Sequence, residues 1–328
     1  MEPYTVDMGS QHPNSVRLFD QFRTFRTIYK VIDGQPIHTF FIVPNELPPG
    51  PRPLLVRFHG GGLVEGEAEA SMRPFFLELA LKHGAVILTP DYRLRPEHEA
   101  MEVLEDLQSF WHWIEAGSAQ SVFNISLPDI TINAENLMVA GESGGGYLAV
   151  QTALLGMTQL QIRVLFLQYP TLDLTKYLRL DNISEEMLNC ILWADLVPYS
   201  EVEEVLNGPD KGKLRTRAPF ESRMRLFQAL IQAGKFCDLE KDGEVVDPMR
   251  ALEHAGPLPP ILLYHSKEDE ALPWQQTEEW AAKLKTLQPD VPLYLTFQKG
   301  SHVFDANDTM ATPWLKEPLE FVGKYWPA

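Results

Sequence analysis

The chain has 328 residues, of which 45% are hydrophobic, 22% charged and 10% aromatic. This is the mixture of an ordinary globular protein, and it excludes collagen-like, coiled-coil and wholly disordered chains. The 45 Asp and Glu outnumber the 28 Lys and Arg and give a formal net charge of −17. Because such a field repels phosphate backbones and anionic lipid, we expect neither nucleic acid nor a membrane surface as a partner.

Strand and helix patterns alternate along most of the chain. Apolar, β-branched runs predict strands at Arg26–Ile32, Ile37–Val43, Leu54–Phe58, Ala85–Thr89, Asn136–Ala140, Val164–Gln168, Ile261–Tyr264 and Leu293–Phe297. Apolar residues at three- and four-residue spacing predict helices at Met72–His83, Met101–Ala116, Gly144–Leu155, Gln275–Leu287 and Pro313–Tyr325. The alternation predicts an α/β fold with a mostly parallel sheet and helices on both faces. Asp33-Gly34 is a hairpin-turn signal, so we expect the sheet to open with antiparallel strands.

Residues 173–247 interrupt this alternation with charged, helical patterns and no convincing strand. A structureless loop of that length is implausible in a compact domain, so the stretch predicts a helical insertion over one end of the sheet. We therefore predict an α/β core of residues 23–172 and 248–328 and a helical cap of residues 1–22 and 173–247. Apolar cap residues expected to line a substrate pocket are Trp193, Phe220, Met224, Phe227 and Leu230.

Cysteine content and the N-terminus bear on the compartment. Cys190 and Cys237 are too few for a disulfide framework or a four-thiolate zinc site, and they favour free thiols in a reducing compartment. The first 15 residues lack the basic start and the apolar stretch of a secretory signal. No apolar run is long enough to form a transmembrane helix. We expect a cytoplasmic protein.

The strongest catalytic signal is Gly141-Glu142-Ser143-Gly144-Gly145, a G-x-S-x-G motif between a predicted strand and a predicted helix. Flanking glycines allow the strand and the helix to pass closely, and the serine then occupies a sharp, strained turn. The start of the next helix points N–H groups towards developing negative charge. This context predicts that Ser143 is a nucleophile.

A second glycine-rich motif, His59-Gly60-Gly61-Gly62, directly follows the predicted strand Leu54–Phe58. Glycines leave backbone N–H groups unshielded, and such donors can stabilise an oxyanion. A phosphate-binding loop is the rival interpretation, but neither phosphate-binding glycine pattern is present.

A serine nucleophile needs a base and an orienting carboxylate, in the chain order Ser, acid, His for this architecture. After Ser143 the candidate bases are His254, His265 and His302. His302 is favoured because it lies in a loop just after the predicted strand Leu293–Phe297, where α/β sheets place their ligands. For the acid, spacing alone does not choose among the three adjacent carboxylates Glu268, Asp269 and Glu270.

Three motifs in order, HGGG at 59–62, DYRLRPEH at 91–98 and GESGGG at 141–146, resemble the hormone-sensitive-lipase-like group of α/β-hydrolases. The resemblance implies the α/β-hydrolase fold and a catalytic triad. Its residues would be Ser143 as nucleophile, Asp269 as acid and His302 as base, with the N–H groups of Gly61, Gly62 and Gly144 as the oxyanion hole. It also implies that His59 orients the glycine loop, that the charges of 91–98 are paired beneath the site, and that no metal or organic cofactor is needed.

These features predict a serine carboxylic-ester hydrolase, a serine esterase that forms an acyl-enzyme on small or medium esters or lactones. The same groups could instead catalyse acyl transfer or cyclisation in a small-molecule biosynthetic pathway. A third alternative, a catalytically silent receptor, is disfavoured because serine, acid and histidine are all present. The expected partner is a small-molecule ester or acyl substrate, and a homodimer is compatible with the sequence.

Overall fold

The computed structural model describes residues 1–176, 195–237 and 242–327. Nine strands form one sheet in the order β1-β2-β3-β5-β4-β6-β7-β8-β9. They are β1 Glu2–Pro3, β2 Phe22–Ile32, β3 Gln35–Pro44, β4 Gly50–Phe58, β5 Val86–Pro90, β6 Ile130–Glu142, β7 Ile162–Gln168, β8 Ile261–Ser266 and β9 Leu293–Gln298. The pairs among β1, β2, β3 and β5 are antiparallel, whereas β5, β4 and β6–β9 run parallel. The predicted mostly parallel sheet is confirmed.

The α-helices of the described residues cover both faces of this sheet and part of its upper edge. They are α1 Pro13–Phe19, α2 Pro74–His83, α3 Ala100–Glu115, α4 Ser118–Ser126, α5 Gly144–Leu154, α6 Ser200–Leu206, α7 Met224–Gln232, α8 Pro248–Ala251, α9 Gln275–Leu287 and α10 Lys316–Val322. Two hydrophobic clusters, one on each side of the sheet, are built from the alternating faces of the central strands. Val56 belongs to one cluster and its neighbour Leu55 to the other, because successive strand residues point to opposite faces.

The predicted hairpin between β2 and β3 is confirmed. Asp33 and Gly34 both have positive φ, at 48° and 76°, and Ile32 pairs with Gln35 across the turn. Positive φ at both central residues is the mark of the hairpin turn whose twist matches that of the strands. The antiparallel opening of the sheet therefore follows from this dipeptide.

The helices of the core differ in part from the prediction. The spacing of apolar residues does not predict α4, whose Ser- and Asn-containing sequence has low helix propensity. Its buried Ala119 and Phe123 pack into the core, so tertiary contacts stabilise it. The predicted helix Pro313–Tyr325 is a 3-10 turn at Pro313–Leu315 followed by α10, which ends immediately before Gly323.

The segments assigned to the cap lie partly in the sheet and partly over the carboxyl ends of its parallel strands. β1 is within the first 22 residues and pairs with β2, so this end of the chain extends the sheet. In the insertion, Ala218 forms an antiparallel bridge with Gly66. Residues 214–227 are thereby attached to the loop that follows β4. The exact division into core and cap remains a prediction.

Candidate active site

Ser143 lies at the turn between β6 and α5, with φ 53° and ψ −119°. Such a positive φ is strained for a residue with a side chain, and the Ser143 N–H donates to the carbonyl of Gln168 at 2.9 Å. The turn requires its glycines. A Cβ on Gly145 would lie 2.1 Å from the carbonyl oxygen of Phe58, and one on Gly141 would lie 2.1 Å from that of Gly145. The G-x-S-x-G spacing therefore follows from close backbone packing.

The structure brings Ser143, His302 and Asp269 together. Nε2 of His302 lies 3.0 Å from Oγ of Ser143, and Nδ1 lies 2.7 Å from Oδ2 of Asp269. The three residues follow β6, β9 and β8, whose carboxyl ends meet at one edge of the parallel sheet. This is the geometry in which an imidazole can take a proton from a hydroxyl while a carboxylate fixes its tautomer.

Asp269 and His302 shift each other's pKa. Burial would raise the pKa of Asp269, but its contacts with His302 and His265 outweigh this effect and hold the pKa well below its usual value. Burial would lower the pKa of His302, but the Asp269 carboxylate outweighs this and raises it. Asp269 is therefore ionised at neutral pH and favours positive charge on the imidazole.

The neighbouring carboxylates, which spacing left as alternatives to Asp269, contact the backbone of the His302 loop instead. Oε2 of Glu268 accepts from the N–H of Gly300 at 2.9 Å, and Oε2 of Glu270 accepts from that of His302 at 2.8 Å. Of the three adjacent acids, Asp269 is thus the one whose side chain meets the imidazole. Asp269 is the acid that the family resemblance implied, and its catalytic role stays a prediction.

His265 and His254, the other candidate bases, occupy different environments. His265 is fully buried, with Nδ1 2.7 Å from Oγ1 of Thr277. Its Nε2 lies 3.2 Å from Oδ2 of Asp269, although the ring N–H is not aligned for a hydrogen bond. His254 is exposed just after α8. His265 is therefore a second neighbour of the acid, a contact that the sequence analysis did not foresee.

The glycines predicted to form an oxyanion hole surround Ser143. Gly61 and Gly62 have φ 102° and 59°, and their N–H groups donate to none of the described residues. A Cβ built on Gly144 would lie 3.2 Å from the Gly62 nitrogen, which places the start of α5 against this loop. The Gly60 N–H, in contrast, donates to Oε1 of Glu142 at 3.1 Å and anchors the loop to β6.

His59 supports this loop from below. Its ring stacks on that of Tyr92 at 4.3 Å, and Nδ1 lies 2.8 Å from the Gly60 carbonyl oxygen. Burial lowers the pKa of His59 to about 3, so the imidazole is neutral. No described residue connects it with Ser143 or His302, as expected for an orienting role.

Of the four Asp, Glu and Arg residues in 91–98, three form ion pairs, and two of these pair with the insertion. The fourth, Arg95, donates from Nη2 to the carbonyl of Lys235 at 2.9 Å. Asp91 pairs with Arg217 at 3.0 Å, and Glu97 pairs with Arg223 at 2.6 Å. Arg93, by contrast, pairs with the α3 residue Asp106 at 2.9 Å. Residues 91–98 therefore hold residues 214–227 over the active site and also stabilise the core.

Ser143 and His302 open into a cavity of about 620 Å³. Its apolar wall includes Phe220, Met224 and Phe227, three of the five lining residues predicted from the cap. Leu230 is buried elsewhere in α7 and does not line this cavity. Trp193, like Cys190, lies outside the described residues. The size suits a ligand of small to medium mass.

Several polar residues at this cavity were not predicted. His12, Ser71 and Arg73 line it on the side of the N-terminal segment, and Glu65 lines it beneath the insertion. Oε1 and Oε2 of Glu65 accept from the N–H groups of Glu221 and Arg223 at 2.9 and 2.7 Å. No recognisable motif contains these residues, and they come from segments that are distant in the chain. The sequence therefore does not predict that they meet at the cavity.

Residues 1–176, 195–237 and 242–327 contain neither a candidate metal site nor a membrane-spanning helix. In those ranges no group of three or more His, Cys, Asp or Glu is arranged to hold a metal ion. No helix in the same part of the chain is both long and apolar enough to cross a membrane.

Comparison with known proteins identifies the family. The model of an α/β-hydrolase-fold family matches residues 55–305, about three-quarters of the chain. The chain belongs to this hydrolase family. It is 28% identical over 311 residues to a probable carboxylesterase, M8, of Phoma sp., covering 91% of this chain and 94% of the relative. It is 31% identical over 194 residues to the probable carboxylesterase clz11 of Cochliobolus lunatus, covering 56% and 84%.

Solved structures show the same fold for this hydrolase. A bacterial heroin esterase superposes with a TM-score of 0.64 at 22% identity, covering 96% of this chain and 89% of the other. Carboxyl esterase 2 of the fungus Tuber melanosporum gives a TM-score of 0.61 at 22% identity, covering 92% and 85%. At these identities the likeness concerns architecture, and it confirms the predicted fold.

Proposed function

We propose that this hydrolase is a serine carboxylic-ester hydrolase that acts on small or medium esters or lactones. The observation that carries the proposal is the chain of contacts from Oγ of Ser143 to His302 and on to Asp269, at 3.0 and 2.7 Å, at the floor of a cavity. The resemblance to two fungal probable carboxylesterases supports the reaction class.

In the first half-reaction, Oγ of Ser143 attacks the acyl carbon of the ester while Nε2 of His302 accepts its proton. The developing oxyanion accepts hydrogen bonds from the N–H groups of Gly61, Gly62 and Gly144, a stabilisation worth about 3–4 kcal/mol per donor. The imidazolium then donates its proton to the departing alcohol oxygen, which leaves an acyl group on Ser143.

In the second half-reaction, water takes the place of the alcohol. His302 accepts a proton from the water as it attacks the acyl carbon, and it returns that proton to Oγ of Ser143 when the carboxylic acid leaves. Asp269 keeps the imidazole in the productive tautomer and stabilises its positive charge throughout. An alcohol in place of water would give acyl transfer, so the two outcomes differ only in the acceptor.

The proposal is tested with p-nitrophenyl esters from acetate to laurate. We expect burst release of p-nitrophenol, a mass increase on Ser143 equal to the acyl group when the enzyme is quenched early, and an optimal chain length set by the cavity. Ser143→Ala should abolish the burst and the mass increase. Ser121→Ala, on an exposed turn of α4, is the matched control and should behave as wild type.

Two results would contradict the proposal. One is turnover that survives in Ser143→Ala, and the other is acylation of a different residue. Product analysis with added alcohols separates hydrolysis from transfer, because transfer would give a new ester in place of the free acid.

A further inference from the structure

A second serine and histidine lie in the active-site cavity apart from the triad. Nε2 of His12 is 2.7 Å from Oγ of Ser71, and both residues line the cavity that contains Ser143. Ser71 has φ 51°, an unusual backbone for a residue with a side chain. The strained Ser71 and the half-buried His12 are therefore held in place by their surroundings.

The N-terminal segment is fixed to the loop before α2 by several hydrogen bonds. The Ser71 N–H donates to the Ser10 carbonyl at 2.9 Å. Gln11 donates from Nε2 to the Glu69 carbonyl at 2.7 Å and accepts from the Met72 N–H at 3.1 Å. These contacts stabilise a wall of the cavity that comes from a different part of the chain than the insertion.

The hydrogen bonds around Ser71 determine the tautomer of His12. Nη1 of Arg73 donates to Oγ of Ser71 at 3.0 Å, so the hydroxyl accepts there and is free to donate to Nε2 of His12. Burial and the Arg73 charge lower the pKa of His12 to about 4, so the ring is neutral at pH 7. With Nε2 as acceptor, the ring proton resides on Nδ1. No described residue accepts from this Nδ1–H.

The charges around the cavity determine which kind of substrate group could accept a hydrogen bond from Nδ1–H of His12. Asp7, Glu65 and Glu221 also line the cavity. Glu67 is paired with Arg217 at 3.1 Å, and Arg73 is paired with Asp305 through Nε and Oδ1 at 3.1 Å. A carboxylate on the substrate would therefore meet a negative field. An uncharged oxygen would accept from Nδ1 without that repulsion.

We propose that His12, held by Ser71, binds an uncharged carbonyl, ether or hydroxyl oxygen on the part of the substrate that does not react. His12 is a specificity-determining residue in this assignment, and Ser71 is a positioning residue that sets its tautomer. The substrate class is thus a neutral ester with an apolar portion, for the wall at Phe220 and Met224, and a remote oxygen acceptor. This inference deepens the proposed function and rests on it for the location of the reacting ester.

The experiment compares matched substrates that differ by one oxygen. One panel contains p-nitrophenyl alkanoates with and without a keto group at carbons 4 to 8. The other contains phenyl acetates with either a 2-oxopropyl or an isobutyl group on the ring, whose methylene separates the carbonyl from the leaving group. We expect at least one keto compound to exceed its matched ester about tenfold in kcat/KM, the size of one hydrogen bond. His12→Phe should bring that ratio to about 1.

Two further variants separate recognition from misfolding. Ser71→Ala removes the closer of two donors to Nε2 of His12, since Nη1 of Arg73 remains 3.5 Å away. The ratio should therefore fall, but less than in His12→Phe. His254→Phe, an exposed histidine far along the chain, should keep the wild-type ratio. A wild-type ratio near 1 throughout both panels, or a preference that persists in His12→Phe, would overturn the proposal.

Binding to Ser143→Ala distinguishes this inference from the proposed function. The Kd values of the same matched pairs, measured by calorimetry without turnover, should differ about tenfold, and His12→Phe should remove the difference. If wild type hydrolyses none of the esters, the proposed function fails, and the Kd ratio still decides whether His12 recognises the oxygen.

Discussion

Nε2 of His265 lies 3.2 Å from Oδ2 of Asp269, the same oxygen that Nδ1 of His302 contacts at 2.7 Å. The other carboxylate oxygen, Oδ1, accepts from the N–H groups of Ala271 and Leu272 at 2.9 and 2.8 Å. The carboxylate is therefore fixed on both sides. Such an environment keeps it ionised and restricts its rotation, which a residue that orients an imidazole requires.

Asp269→Asn should reduce kcat by about 10³–10⁴, because an amide can stabilise the wrong tautomer of His302 and carries no charge to balance the imidazolium. The measurement is the steady-state kinetics of p-nitrophenyl butyrate hydrolysis. Glu268→Gln and Glu270→Gln are matched controls, since a glutamine oxygen can still accept from the backbone N–H groups that these acids contact. We expect losses below about tenfold for them. Equal losses at all three positions would contradict the assignment of Asp269.

The pH dependence of kcat/KM should report the ionisation of His302. Only the neutral imidazole accepts a proton, so activity should rise with pH through the pKa of this residue. Because Asp269 raises that pKa, the midpoint of the acid limb should lie above the usual histidine value of about 6.5. In Asp269→Asn, burial and Arg73 lower the pKa of His302 and only Glu270 raises it, so the midpoint should move to lower pH. A midpoint that stays fixed in the variant would show that another group controls the limb.

His265→Phe tests whether the second imidazole helps to position Asp269. Phenylalanine fills the same buried space but removes the polar neighbour of Oδ2 and the contact with Thr277. Since small displacements of a catalytic group cost up to about 100-fold in rate, we expect a loss of about tenfold in kcat with little change in KM. A fall in thermal stability without a change in kcat would show a purely structural role.

The parts of the site that sequence motifs predicted are those that depend on local backbone geometry. Gly145 must be glycine because α5 passes within contact distance of Phe58, and Ser143 must occupy the sharp turn. Although Phe58 lies in another strand, these constraints fall on consecutive residues of one turn, so they leave a recognisable pattern. The prediction of His302 rests on a different signal, its place in the loop directly after a strand of the sheet.

The residues that escaped prediction meet through tertiary contacts alone. His12, Ser71 and Arg73 come from two segments joined by side-chain hydrogen bonds, and neither segment has a spacing that one chain's sequence would reveal. The pairing of Asp91 with Arg217 across 126 positions is of the same kind. Charge types indicate that pairs must exist, but the fold decides which residues form them.

Gly62→Ala should impair catalysis more than folding. Gly62 has φ 59°, and a Cβ there would lie 2.8 Å from Cδ2 of Phe227, so the loop or the ring must move. Displacement of an oxyanion donor reduces kcat by about 10²–10³. Gly234→Ala is the matched control, because Gly234 has φ 64° with open space around its Cβ position. Both variants carry the same backbone strain, and only Gly62→Ala should lose activity in the p-nitrophenyl assay.

Arg217 lies outside the triad and neutralises three carboxylates. It lies 3.1 Å from Glu67, 2.6 Å from Glu69 and 3.0 Å from Asp91, and its guanidinium stacks over the ring of Phe40. Glu69 and Asp91 are buried. Burial raises the pKa of Asp91 to about 7, against the opposing attraction of Arg217. This arginine is therefore the main electrostatic link between the insertion and the core.

Arg217→Met should lower the free energy of unfolding by about 3–5 kcal/mol at pH 8, because it leaves buried carboxylates without a countercharge. The loss should be smaller at pH 5. Without Arg217 the pKa of Asp91 rises further above its unfolded value, so protonation removes the unpaired charge at low pH, and the stability falls as pH rises. Urea unfolding at both pH values measures this difference. Arg225→Met breaks an exposed pair with Glu201 and should leave the unfolding midpoint nearly unchanged. Equal midpoints for the two variants at pH 8 would contradict the central role of Arg217.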